Sequence, residues 1–225
     1  MGVTPKDLAA YYPHLFHMAE HGSWEGIRRH GLLSTSSLLS LFEITGDERH
    51  EIEVCKRKES RKIIHPVYGH AVIRDQKPII ESKLEAALRG CTAAEWYGLL
   101  NSRVFFWLNI KRLNTLLSAK EYRNKPHTVL TLETLPLVTH YETSITLSPM
   151  NSGNTLPIAH PRGPNTFRRM EEYPFRERLQ RGPYYTIVEL AVDGGVRNIE
   201  DYTLLVQTMI SDGTTSDSVE TLYSS

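Results

Sequence analysis

The stretch Leu15-Phe16-His17-Met18-Ala19, continued by Ser23 to Gly31 and by Leu32-Leu33-Ser34-Thr35, is where the fold is decided. Leu15 and Phe16 are apolar β-formers, so the run reads as a buried strand ending in His17, its first side chain able to hydrogen-bond through two ring nitrogens. Ser23 is placed to cap a short helix with Glu25 in its first turn, Arg28, Arg29 and His30 in its last, and Gly31 at C′. Gly26 stands where a capping box would need Glu or Gln, and Trp24 and Ile27 give the helix an inward apolar stripe. Leu32 and Leu33 return the chain to the core, and Ser34-Thr35-Ser36 can cap a second helix through Leu38, Leu41 and Phe42. His17 then has two readings, a satisfied core histidine and a polar ring delivered into a cleft.

Composition sets the outer limits. With 225 residues, 40% hydrophobic and 23% charged, the chain suits one domain, assigned to residues 1–210, with nothing approaching a membrane span. Residues 211–225 are polar and read as a disordered tail. The N-terminus lacks the basic flank and apolar run of a signal peptide, and Lys6 stands where a myristoylation motif wants Ser or Thr, so a cytoplasmic location is expected. Cys55 and Cys91 have no metal-ligand spacing and read as free thiols.

A formal net charge of zero argues against a strongly basic nucleic-acid coat, but the basic residues are unevenly spread. One patch is Lys56-Arg57-Lys58 with Arg61-Lys62. In a second, Arg162, Arg168, Arg169, Arg176, Arg178 and Arg181 face only Glu171, Glu172 and Glu177. Each patch reads either as a solvated charged face or as positive surface for a phosphate-bearing substrate.

Along the middle of the chain helix and strand signals alternate. Ala71-Val72-Ile73 reads as a strand ending at Arg74, before Pro78. Leu84, Ala87 and Leu88 form a helical stripe closed by Gly90, and Thr92-Ala93-Ala94-Glu95 is a capping box launching a helix through Leu100. Val104 to Leu108 is an aromatic-rich central strand, Ile110 to Leu117 a helix, and Thr128 to Thr134 a strand with one wet face. Tyr141 to Leu147 reads as a strand. Ser148 to Thr166 is a long loop, either a mobile excursion or a binding loop.

Tyr184 to Val192 reads as a late strand closed by Asp193-Gly194-Gly195, and Glu189 interrupts its apolar run. Period-two alternation puts Tyr185, Ile187, Glu189 and Ala191 on one face. Glu189 is then either an edge residue pointing to solvent or a carboxylate held in a partly apolar cleft. Glycine-rich phosphate loops, a His-Glu-x-x-His motif and a Gly-x-Ser-x-Gly motif are lacking. His14, His17 and His21 would share a helix face, but Pro13 and the β-formers beside it favour a strand, so no metal site is assigned.

His17-Met18-Ala19 followed by Gly31-Leu32-Leu33, with Val188-Glu189-Leu190-Ala191-Val192 late in the chain, resembles the ADP-ribosyltransferase superfamily and most closely its DarT-type nucleic-acid ADP-ribosyltransferase toxins. Ala19 departs from a threonine of that family. The resemblance implies an α+β domain with a split, mostly antiparallel sheet and flanking helices. It implies NAD as substrate, Glu189 and Arg74 as catalytic residues, and His17, Ala19, Ser34, Phe106 and Trp107 at the NAD site. Arg49, Arg57 and Arg61 compete for the role of Arg74. A nucleic-acid acceptor, DNA before RNA, would meet Arg162, Arg168 and Arg169, and an antitoxin would be a protein partner. NAD hydrolysis, a protein acceptor and a degenerate binding module are the alternatives.

Overall fold

A computed structural model describes residues 2–225 as an α+β fold around one eight-stranded sheet. The strands are β1 (His14–Glu20), β2 (Leu32–Leu33), β3 (Arg61–His65), β4 (Gly69–Ile73), β5 (Arg103–Trp107) and β6 (His127–Glu133). They continue with β7 (Ile145–Ser148), β8 (Arg168–Arg169), β9 (Glu189–Asp193), β10 (Gly195–Val196), β11 (Thr203–Ser211) and β12 (Ser216–Ser224). The large sheet has the order β12-β11-β6-β1-β5-β9-β7-β8, and β10-β2 and β3-β4 form two small ribbons. Every pairing between these strands is antiparallel.

The sheet is nearly divided at its centre. β1 pairs with β6 over seven residues, from His14↔Glu133 to Glu20↔His127, but meets β5 at a single pair, Phe16↔Trp107. Two well-knit halves therefore diverge from that point. Leu15 and Ala19 of β1, Val104 and Phe106 of β5, Leu130 and Leu132 of β6, and Leu190 and Val192 of β9 pack into one core on a common face.

Local signals account for much of this. The Thr92 capping box is present and starts the helix Ala93–Asn101. Asn109 caps Ile110–Leu117 through the Lys111 amide. Ser34 caps Thr35–Leu41 by accepting from the Ser37 amide at 3.1 Å. Gly31, at φ 90°, is required where the chain turns into β2, because a Cβ there would lie 2.5 Å from the Arg197 Cα. Gly195, at φ 113°, lets β10 approach β2, since its Cβ would meet the Leu32 carbonyl oxygen at 2.4 Å.

Several expectations are corrected. Residues 211–225 are no disordered tail: Ser216–Ser224 pairs along β11, and Leu222 and Tyr223 pack on the core. Its side chains are polar because it is an edge strand, and two register shifts against β11 disturb the ladder. Pro183, at the first turn of the helix Pro183–Thr186, delays the late strand to Glu189. Glu142–Ser144 is a 3₁₀ turn, so the strand after it starts at Ile145. β6 is buried on both faces rather than wet on one, because Leu130 and Leu132 join the main core on one side while Val129 packs with Leu113 and Leu117 of the helix Ile110–Leu117 on the other. Ser23 makes no cap; its hydroxyl donates to the Glu20 carbonyl at 2.7 Å. His17 sits mid-strand, opposite Leu130. Among the described residues no helix is long and apolar enough to cross a membrane.

Candidate functional site

The wedge between the sheet halves is a cavity of about 800 Å³, the size of a small-molecule site. His17, Ala19, Ser34, Arg74, Trp107 and Glu189 all line it. Residues far apart in the chain converge there because β1, β5 and β9 are neighbours and β4 ends beside them.

His17 props the wedge open. Its Nδ1 lies 2.8 Å from the Phe105 carbonyl oxygen, which can only accept, so Nδ1 carries the proton and the side chain bridges β1 to β5 where the ladder has stopped. Burial pushes the imidazole pKa down to about 4, opposed by the Phe105 hydrogen bond and reinforced by the positive charge of Arg74. The ring is neutral at pH 7, and its Nε2 has no partner among the described residues, leaving an acceptor in the cavity wall.

Glu189 is buried at the first position of β9, directly opposite Trp107 of β5, so the two side chains share a face of the sheet. Oε2 accepts from the Ser152 amide at 3.0 Å. Burial raises the carboxyl to about 7, against the hydrogen bonding of Ser152 and the positive charges of Arg162 and Arg112. The solvent-edge reading of Glu189 is thereby excluded. Ser152 belongs to the loop after β7, which is not a free excursion: the Thr155 amide donates to the Pro78 carbonyl, and the Thr155 hydroxyl accepts from the Ile80 amide at 2.7 Å.

Arg74 follows β4, as expected. Its Nη1 donates to the Met18 carbonyl at 3.1 Å and its guanidinium lies 4.7 Å from the centre of the Tyr122 ring. Among the described residues it has no carboxylate partner. Its competitors have other occupations: Arg49 pairs with Glu53 and Arg61 with Glu51. Arg57 is buried behind Arg74 and donates Nε to its carbonyl at 3.0 Å, so it positions Arg74; burial lowers its pKa to about 10.

Other predicted residues fare differently. Ala19 borders the cavity while its methyl packs in the core, so no hydroxyl stands there, and the Ser34 hydroxyl is engaged in its helix cap. Phe106 is corrected: it is fully buried in the core and does not line the cavity, whereas Phe105 and Trp107, on the opposite face of the same strand, do. Arg162 is also corrected. Expected on a basic surface, it is 3% exposed and donates to the carbonyls of Ser152, Asn154 and His160. Arg168 is exposed, and Arg169 approaches Asp193 at 3.6 Å. Ser152 and Arg112 went unnoticed in the sequence, and only the suspicion that the long loop binds pointed toward Ser152.

A buried carboxylate facing a tryptophan, a neutral imidazole and an unpaired arginine in one cleft can hold a polar ligand with a ring and an anionic group, and can stabilise a cation forming beside the carboxylate. No curated protein and no solved structure matches the chain. A family model matches residues 13–203, which hold every residue named at the cleft, and the chain belongs to that family, DUF7002, a family of unknown function.

Proposed function

We propose that this protein transfers ADP-ribose from NAD to a nucleic-acid acceptor, DNA before RNA. The observation carrying this reading is the convergence of His17, Arg74 and Glu189 on one cleft at the split of an antiparallel sheet. The residues suit a dinucleotide substrate. His17 Nε2 can accept from a ribose hydroxyl or the carboxamide, Trp107 offers a ring face beside Glu189, and Arg74 has donors for the pyrophosphate.

The chemistry needed is cleavage of the bond between nicotinamide and ribose. The bonding pair leaves with nicotinamide, and positive charge develops on the ribose as in glycoside cleavage. Glu189, ionised, stabilises that charge and orients a ribose hydroxyl through its free oxygen. The Ser152 amide fixes the carboxylate. Nicotinamide departs neutral, and as the bond from the ribose carbon to the acceptor nitrogen or oxygen forms, the acceptor's proton passes to solvent.

The test is incubation of the purified protein with NAD and, separately, single-stranded DNA, duplex DNA or RNA, followed by mass spectrometry. A gain of one ADP-ribose on an oligonucleotide supports the reading. NAD loss with no mass gain reassigns the protein as a hydrolase, and no NAD loss under any condition rejects it. Toxicity of the expressed protein, relieved by a co-expressed neighbouring gene, would identify an antitoxin partner.

A further inference from the structure

A second cavity, of about 300 Å³, lies on the far side of the loop that holds Glu189. Four arginines, Arg89, Arg162, Arg168 and Arg178, line it, and no carboxylate does. Among the described residues none of the four forms a salt bridge, although Arg169, next in sequence to Arg168, approaches Asp193. Their hydrogen bonds go to neutral carbonyls: Arg162 to Ser152, Asn154 and His160, Arg178 to Thr186 at 3.1 Å, and Arg89 to Ala86 and Leu88. Carbonyls hold guanidinium groups in place without cancelling their charge. Arg168 makes no side-chain hydrogen bond at all among the described residues.

Four guanidinium groups around one concavity with no carboxylate in its wall focus a positive potential into it, only Arg162 also feeling the charge of Glu189 across the loop. The planar forks of arginine match phosphate oxygens, and the remaining wall is apolar, with Pro149, Met150 and Pro161 suited to a sugar or base edge. We propose that this cavity binds the phosphate of a nucleotide unit. Arg162 is the fixed charge at its base, and Arg168 and Arg178 are the groups that close on the phosphate. The free guanidinium of Arg168 and the absence of any acidic wall carry the assignment. The site does not depend on ADP-ribosyl transfer, though it adjoins the cleft: Arg162 Nη1 donates to the Ser152 carbonyl at 3.0 Å, and the amide of the same Ser152 holds Glu189.

Fluorescence anisotropy of a labelled single-stranded DNA oligonucleotide, without NAD, tests this. Saturable binding that weakens steeply between about 50 and 200 mM salt is expected. Arg168→Glu and Arg178→Gln should each lower affinity at least about tenfold, the loss of one good phosphate contact. Arg29→Glu, the same charge change at an exposed residue outside both cavities, should shift it less than about twofold. Competition by a free mononucleotide would mark the ligand as a small nucleotide, and competition by unlabelled strand alone would mark it as nucleic acid; both support the phosphate site. Equal weakening by Arg29→Glu and Arg168→Glu, or no saturable binding, overturns it. NAD turnover measured on the same variants reports on the transfer reading separately.

Discussion

β1 has two neighbours and treats them differently. Along β6 it forms a ladder of seven residue pairs, and β6 is buried almost throughout; along β5 it forms one pair and then parts from it. On the first side the backbone satisfies itself and the side chains make core. On the second, a histidine side chain takes over a carbonyl that no strand reaches, and space opens beside a buried carboxylate. The contrast teaches that the site is built from what strand pairing leaves undone, with the closed half of the sheet as its rigid support.

The largest effect should come from breaking the closed side. Leu130→Ala, in the middle of the β1–β6 ladder and fully buried, is expected to cost about 2–5 kcal/mol in urea denaturation. Trp107→Ala at the open side should cost clearly less stability while impairing NAD turnover. Equal losses of stability would erase the distinction.

Next in size is Glu189→Gln, expected to reduce NAD turnover roughly 100- to 1000-fold without loss of fold. The wild-type rate should rise with pH through about 7 as the carboxyl ionises. Stability should show the opposite trend. The folded carboxyl keeps its proton up to about 7 and the unfolded one only to about 4.5, so stability falls between those values, by about 3 kcal/mol in full. His17 opposes it: with a folded pKa of about 4 against 6.5 unfolded, it makes stability rise with pH over that interval. Thermal melts across pH 4 to 8 should therefore show Glu189→Gln exposing the rise and His17→Gln exposing the fall. Parallel profiles for both variants would contradict these opposed shifts.

Arg74→Ala should raise the KM for NAD about tenfold and leave the melting midpoint nearly unchanged, since its carbonyl contact and ring contact are partly exposed. Smallest is Ala19→Thr, which returns a hydroxyl to the cleft wall and should lower the KM for NAD by a few-fold, about the value of one net hydrogen bond. A rise in KM would mean the site is shaped for a side chain without a hydroxyl.

Elements with strong local signals were legible. The capping box at Thr92 and the Ile110–Leu117 stripe gave helices with the expected starts, and alternation placed Glu189 and Ala191 on one face, as their pairing with Trp107 and Phe105 bears out. The strand Ser216–Ser224 was not legible, because a polar edge strand draws its order from hydrogen bonds to β11 rather than from its own side chains. Nor was the choice between Phe106 and its neighbours, since three consecutive aromatic residues carry no alternation to say which face meets the core.

By itself, the order of residues determined the strands and helices with strong caps or periodicity, the glycine needed at Gly31, and the presence of an acidic residue in a late apolar strand. These depend on local sterics, capping and periodicity. Only the tertiary structure decided that β1 and β5 part after one pair, that Glu189 is buried while His17 lies desolvated in the cavity wall with their pKa values shifted in opposite directions, and that Arg162 is interior while Arg168 remains free. Burial and unpaired charge are properties of what surrounds a side chain, and its surroundings come from distant parts of the chain.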